Sequence, residues 1–347
     1  MTNVVGVGVA LPEFSYSSAE ILKGSKNWLK SSPGEYELFE RFVSSSKIGR
    51  RYFGVPVERI LGGISSAERA EIFWQEGTKL GVKAIANCLK EHRIDPASIS
   101  QLIFTSCSVP VIPSIDARII QEIGIPLNVR RLPIYQHGCA GGAAALGLAE
   151  SMMNQDGYGL ILSVELCSLV YQGGDLSAGN LVGSALFGDG AAAVLLDSKR
   201  GKFKILNSRS NLLPLSYELM GYDIQEDGSH LRLKKELPSE LAQMAPGLIR
   251  EFLSLNSINE GQIDHWLIHP GGVKILKLLE EEFKIQPQQG KWAWSVLEKY
   301  GNMSSASILF VLDEFIRSGQ AVPGQKVMVL GIGPGLTLEQ ILIEVQG

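Results

Sequence analysis

Short, continuously apolar runs alternate along this chain with longer segments whose apolar residues recur every three or four positions. Val4 to Ala10, closed by Leu11-Pro12, reads as a buried strand. Ile99 to Cys107, Leu132 to Tyr135, Gly159 to Val164 and Ala191 to Leu196 read the same way. Glu68 to Glu91 carries Leu80, Val82, Ile85 and Leu89 at helical spacing. Helices are also expected over Ser18 to Leu29, Tyr36 to Ser46, Ser114 to Ile123 and Ala143 to Met153, with a loop at Gly173 to Gly179. Strands that are apolar throughout and separated by helices predict an α/β fold whose sheet is mostly parallel and covered on both faces.

The pattern then begins again. After a seam at Ser198 to Gly201 come a strand at Phe203 to Asn207 and an irregular polar stretch, Asn211 to Leu237, read as a loop-rich insertion. A helix follows at Glu240 to Asn256, a strand at Asp264 to Ile268 and a helix at Lys274 to Phe283. The chain closes with a helix at Ser304 to Arg317 and strands at Lys326 to Leu330 and Leu338 to Val345. Each half has a glycine turn with a polar residue that opens a small-residue helix: Gly138-Cys139 and Gly301-Asn302. Each ends in a glycine-rich loop and a strand, from Gly188 and from Gly331. The reading is two similar halves, 1–200 and 201–347, with a site where their loops meet.

Composition narrows the function classes. The chain has 347 residues, 45% of them hydrophobic, and a formal net charge of -4. Such a balance supports a large core and argues against a general nucleic-acid role. The four cysteines form no CxxC pair, and their spacing is not that of metal ligands, so they read as reduced thiols in a cytoplasmic setting. Met1 to Pro12 has no basic n-region and reads as a first strand, not a signal peptide. No apolar run is long enough to span a membrane.

Cys139 stands out because it follows a short strand and precedes a helix, with Gly138, Gly141 and Gly142 around it. A helix N-terminus favours a thiolate; the bland alternative is a small cysteine packed in a turn. His269 ends a buried strand before Pro270-Gly271-Gly272, and Asn302 opens a helix. A nucleophilic cysteine needs a base and needs donors for a developing oxyanion, and histidine and asparagine supply them. The other histidines, His92, His137, His230 and His265, read as structural or exposed. Lys47-Ile48-Gly49-Arg50-Arg51-Tyr52 reads as a solvated basic surface or a phosphate contact. A Cys/His/Asn set fits a papain-like peptidase, whose local cysteine signature is absent, or an acyl-transferring condensing enzyme.

Five motifs in order carry a resemblance. They are Gly138-Cys139-Ala140-Gly141-Gly142, Leu186-Phe187-Gly188-Asp189-Gly190, His269-Pro270-Gly271-Gly272, Tyr300-Gly301-Asn302-Met303-Ser304 and Gly333-Pro334-Gly335-Leu336-Thr337. Together they resemble the type III polyketide synthases, the chalcone synthase-like family. The likeness is clear from about residue 100 onward and weaker back to Ile48–Tyr52. It implies a thiolase-like, five-layer αβαβα fold with two pseudo-repeated halves, usually a homodimer. It also implies an enzyme that takes an acyl-CoA starter onto Cys139 and extends it with malonyl-CoA, with no metal or organic cofactor. His269 and Asn302 would hold the thioester carbonyl. A ketoacyl synthase III-like enzyme making a single condensation shares this logic and is the runner-up. A non-catalytic scaffold is the third reading.

The resemblance also places substrate-binding residues. Phe187 maps to the first of two gatekeeper phenylalanines, and Leu231 replaces the second. Cys107, Cys167 and Ser304 fall where the family lines its cavity, and Gly333, Pro334 and Gly335 form the C-terminal loop, with Ile332 in place of a phenylalanine. Arg41 matches one basic residue that binds coenzyme A phosphates, with Lys47, Arg50 and Arg51 placed to compensate for others. Ile112 maps near a residue that reaches across the dimer, and one residue usual in plant members is missing between Cys139 and Gly141. The starter, the number of extensions and the mode of cyclisation are not encoded in any of these motifs.

Overall fold

A computed structural model describes residues 2–153, 157–226 and 228–347; Met1, in the opening stretch, and Asp227, in the Asn211–Leu237 stretch, lie outside them. Among the described residues nine strands hydrogen-bond into one sheet. Their order is His265–Ile268, Lys326–Gly333, Thr337–Val345, Phe203–Leu212, Thr2–Ala10, Asp189–Asp197, Tyr158–Leu166, Ile99–Thr105 and Arg130–Ile134. Thr2–Ala10 stands at the middle of the sheet and pairs antiparallel with Phe203–Leu212 on one side and Asp189–Asp197 on the other.

The expectation of a mostly parallel sheet is corrected. Pairing is parallel only where Ile99–Thr105 meets Arg130–Ile134 and Tyr158–Leu166, and where His265–Ile268 meets Lys326–Gly333. All the central pairs are antiparallel. Continuous apolar runs report that both faces of a strand are covered; they carry no information on its direction.

Both faces feed a core. In Asp189–Asp197, Ala191, Ala193 and Leu195 pack into one, and Ala192, Val194 and Leu196 into the other, the two-residue period of a strand. One core holds the outer helices Thr78–His92 and Asp116–Ile123. The other holds the helices Gly141–Met152 and Ser307–Arg317, which touch each other in the middle of the molecule, and Leu237–Leu255 on the far side. Gly141–Met152 touches strands of both halves, and its run of Gly and Ala is what allows that central position. The result is a helix, strand, helix, strand, helix layering.

Several local readings change. The Glu68–Glu91 helix is Ser66–Ile72, a π-helical turn at Phe73–Gly77, and Thr78–His92; one extra residue per turn does not show in apolar spacing. Asn211–Leu237 is less irregular than expected. The preceding strand runs to Leu212, and Met220–Gln225 pairs with Gly228–Leu233 as a two-stranded ribbon. Helices Ala178–Leu186 and Pro287–Tyr300 are additional. Arg50–Phe53, to which the sequence assigns no element, is a strand paired with Phe14–Ser17.

The middle of the sheet is tightly covered. A methyl group at Gly8 would lie 2.3 Å from the Cys88 backbone nitrogen and 2.6 Å from the Ala84 carbonyl oxygen, so Thr78–His92 rests directly on the first strand. Gly8→Ala is expected to lower the free energy of unfolding by about 1–3 kcal/mol, read as a fall in the urea midpoint at unchanged m-value. An unchanged midpoint would show that this helix is not seated as described.

Candidate active site

The cysteine turn is built by close backbone approach. Gly138–Ala140 forms a single 3₁₀ turn between the Arg130–Ile134 strand and the Gly141–Met152 helix. Gly138 has φ +56°, and a Cβ there would lie 2.3 Å from Cδ of Pro334, so both conformation and space demand glycine. A Cβ on Gly333 would likewise lie 2.7 Å from the Ala140 nitrogen. The C-terminal loop thus presses on the turn. His137 is drawn aside, its Nε2 3.0 Å from Oε1 of Glu339. Cys139 is buried at 9% exposure.

The second half delivers two more polar groups. The backbone N–H of His269 donates to the Leu330 carbonyl at 2.8 Å, which fixes the strand end. Its ring is 2% exposed, and neither Nδ1 nor Nε2 has a hydrogen-bond partner. A Cβ on Gly271 would sit 3.3 Å from Cδ2 of that ring, so the loop that follows lies against it. Asn302 is locked by its backbone. Its N–H donates to the Leu186 carbonyl at 2.9 Å, and its carbonyl accepts from the Gly188 N–H at 3.0 Å. Its Oδ1 accepts from the Ser304 N–H at 2.9 Å and from Ser307 Oγ at 3.4 Å, leaving the amide N–H₂ to donate, and the Cys139 sulfur is within its reach.

Ser304 Oγ stands between two thiols, 3.4 Å from Cys139 Sγ and 3.1 Å from Cys107 Sγ. Beneath them is a fully buried carboxylate that the sequence reading missed. Glu165 accepts from the Cys107 N–H at 3.1 Å and from the hydroxyls of Ser108 and Ser305. Its only sequence signal is one charge at the end of an apolar strand. Burial raises its pKa, and these donors pull it back down.

Burial dominates the electrostatics. It pushes the Cys139 thiol up to about 11, against the opposing pull of Ser304, its own backbone N–H and Asn302. It brings the His269 imidazole down to about 4. The helix start does not by itself make a thiolate, and burial favours the neutral form of His269, a ring with one donor and one acceptor nitrogen.

Cys139, Cys107, Ser304, Phe187, Leu231 and Pro334 line one open cavity of about 420 Å³. Tyr222, which no sequence reading singled out because its ribbon went unrecognised, lines it too. Other expected residues stand elsewhere. Cys167 lines an adjoining chamber; Gly333 and Gly335 shape the loop behind Pro334; Arg41 is exposed on helix Pro33–Ser45. The solvated basic stretch needs correction at Arg51, which is 2% exposed and donates to the carbonyls of Ser184 and Phe187 at 2.5 and 3.0 Å. It is not free to meet a phosphate, while Lys47 and Arg50 are exposed.

Fold and cavity together define a thiolase-like protein with a buried cysteine at its centre. Family models described as chalcone and stilbene synthases match it twice, the N-terminal domain over residues 4–200 and the C-terminal domain over 204–346. A 1,3,6,8-tetrahydroxynaphthalene synthase of Streptomyces peucetius subsp. caesius is 31% identical over 351 residues, covering 99% of this chain and 93% of that one. A putative chalcone synthase of Bacillus subtilis (strain 168) is 29% identical, covering 99% and 98%. The crystal structure of 1,3,6,8-tetrahydroxynaphthalene synthase from Streptomyces coelicolor A3(2), a bacterial type III polyketide synthase, superposes with a TM-score of 0.94 at 28% identity over 99% of both chains. The chain belongs to the chalcone and stilbene synthase family, the type III polyketide synthases, which are acyltransferases. Among the described residues no helix is long and apolar enough to cross a membrane.

The hydrogen bonds to sulfur make a test. Thiolate is the reactive form, so a lost donor raises the pH that alkylation requires. Ser304→Ala and Asn302→Ala are each expected to shift the midpoint of Cys139 alkylation upward by about one pH unit. Rates read from the Cys139 peptide by mass spectrometry across pH check this; a midpoint unmoved in both variants would contradict the geometry.

Proposed function

We propose that Cys139 is the acyl acceptor of a condensation in which His269 and Asn302 hold the reacting carbonyl oxygen. Two observations support this: His269 is buried with both ring nitrogens unpartnered, and the Asn302 amide is within reach of the Cys139 sulfur. An unsatisfied buried polar group costs about 1–3 kcal/mol, a cost the fold recovers when a substrate oxygen arrives.

Loading begins as the Cys139 thiol gives its proton to His269, whose imidazolium then stabilises the thiolate. Sulfur attacks the acyl carbonyl of a coenzyme A thioester; the new C–S bond forms, the old one breaks, and the departing thiolate takes the proton. Malonyl-CoA then loses carbon dioxide, and the bonding pair passes into an enolate whose oxygen receives hydrogen bonds from His269 and Asn302. The enolate carbon attacks the acyl-cysteine carbonyl, the C–S bond to Cys139 breaks and returns the thiolate, and the chain, two carbons longer, leaves on coenzyme A. Repetition and ring closure give a pyrone, resorcinol or phloroglucinol type of product. A relative named for tetrahydroxynaphthalene supports more than one condensation. Donors fixed before charge develops favour the transition state over the ground state.

Residues 1–200 supply the nucleophile and 201–347 the oxyanion donors. Phe187 and Leu231 wall the reaction space, and Pro334 with Gly333 and Gly335 holds the cysteine turn. Exposed Arg41, Lys47 and Arg50 are placed for coenzyme A phosphates. The substrates are acyl-CoA and malonyl-CoA without metal or organic cofactor. The enzyme is cytoplasmic and homodimeric, with Ile112, fully exposed, at the partner surface.

Mass analysis of the protein incubated with malonyl-CoA and a panel of acyl-CoA starters tests the reading. An acylated Cys139 peptide and cyclic products, both lost in Cys139→Ala, are expected, and His269→Ala is expected to lower kcat by about 10²–10³. A linear one-step product alone would favour single condensation; acylation persisting in Cys139→Ala would overturn the nucleophile.

A further inference from the structure

Of the basic residues in Lys47–Tyr52, Arg51 alone is buried. It lies on the Arg50–Phe53 strand, with its guanidinium carbon 5.5 Å from the centre of the Phe53 ring. A buried charge is costly unless it is hydrogen-bonded. Here the Nη1 nitrogen donates to the carbonyls of both Ser184 and Phe187.

Those carbonyls stand at the end of helix Ala178–Leu186, where the last carbonyls have no partner within the helix. The Gly183 carbonyl accepts from the Phe187 N–H at 2.9 Å, that of Ser184 accepts from Arg51, and that of Leu186 accepts from the Asn302 N–H at 2.9 Å. A guanidinium also suits the negative end of the helix dipole. The helix is therefore finished by two residues from outside it, and one of them is Asn302. The chain continues through Phe187 to Gly188, whose N–H donates to the Asn302 carbonyl at 3.0 Å. Both backbone groups of Asn302 thus rest on the segment that Arg51 holds. Its side-chain Oδ1 is fixed by the Ser304 N–H, so the amide goes where the backbone goes.

Space leaves little slack around this crossing. A Cβ on Gly301 would lie 2.8 Å from the Leu186 carbonyl oxygen and 3.0 Å from Arg51 Cγ; one on Gly188 would lie 2.8 Å from the Tyr300 carbonyl oxygen and 3.6 Å from Arg51 Cβ. The Arg51 stem packs against both glycines. The segment that carries it is itself tied down on two sides. The Gly49 N–H donates to the Glu298 carbonyl at 2.8 Å, and the Gly54 N–H to Asp189 Oδ2 at 2.7 Å. Asp189, fully buried, also accepts from the Ser168 N–H and hydroxyl at 2.8 and 2.6 Å.

We propose that Arg51 is a positioning residue for decarboxylation: by tying the end of helix Ala178–Leu186 to the Arg50–Phe53 strand, it aims the Asn302 amide at the enolate oxygen. The proposal rests on the reading of Asn302 as an oxyanion donor. Such a donor helps only where charge develops, and a misplacement of about 1 Å costs about 10²-fold in rate.

Carbon dioxide release from malonyl-CoA, measured in Arg51→Met, Asn302→Ala and the double variant with urea unfolding as the control for folding, makes the test. Arg51→Met is expected to lower kcat by about 10–10²-fold at nearly unchanged KM. It is also expected to raise the pH at which Cys139 is alkylated, in the same direction as Asn302→Ala. The double variant is expected to stay within about twofold of Asn302→Ala alone, because a donor that is gone cannot be misplaced. A merely structural role would make the two losses multiply. Should Arg51→Met not fold, Arg51→Gln, which keeps a donor without the charge, takes its place in the cycle. Losses that multiply, or an unchanged kcat without the guanidinium, would overturn the positioning role and leave the function standing, provided Asn302→Ala alone slows release. Release at the full rate in Asn302→Ala would overturn both.

Discussion

Burial of three polar side chains is the constraint on which the rest of the structure depends. Cys139, His269 and Asn302 are all buried, and they come from different halves of the chain. The polar groups are held in place by backbone lying on backbone. Pro334 covers Gly138, and Leu186 and Gly188 bracket Asn302 through hydrogen bonds of 2.9 and 3.0 Å. Arg51 completes this seam by holding the carbonyl of Phe187, with its side chain 3.0 Å from where a Cβ on Gly301 would be. Burial works against its charge, bringing it down to about 10, and pushes Asp189 up to about 7, while Asp189 supports the guanidinium in return. A charge is tolerated there because two carbonyls and a carboxylate surround it.

On the proposed reading the same burial sets the chemistry. In water, a neutral imidazole and an amide add little to an enolate that solvent already stabilises. In a buried site the same two donors act in a low dielectric and need no reorganisation when charge appears. On the proposed reading a neutral His269 would suit both steps, with an acceptor nitrogen for the thiol proton and a donor for the oxyanion. The buried Glu165 below, with Ser108, Ser305 and the Cys107 N–H around it, fixes the strand ends that carry Cys107 and places Ser305 near Ser304.

The motifs that were legible in the sequence are those whose physical cause is local. Gly138-Cys139, His269-Pro270-Gly271 and Gly301-Asn302 announce themselves because a sharp turn must be written in neighbouring residues. What was not legible has distant causes. Arg51 looked like a surface residue because its carbonyl partners stand 133 and 136 positions away. The Met220–Gln225 and Gly228–Leu233 ribbon is mostly half-exposed, so it lacks the alternation that marks a strand over a core. Strand direction was misread because burial on both faces looks the same in either direction. The place of Tyr222 depends on that ribbon packing against helix Ala178–Leu186, a meeting that no local pattern records.

The central claim is that the oxyanion donors and the nucleophile are separate devices sharing one buried site. Release of carbon dioxide from malonyl-CoA in the absence of any starter tests it most directly, measured in Cys139→Ala and His269→Ala. Decarboxylation is predicted to survive loss of the thiol and to collapse on loss of the imidazole. Decarboxylation that disappears with Cys139, or persists undiminished without His269, would contradict the account.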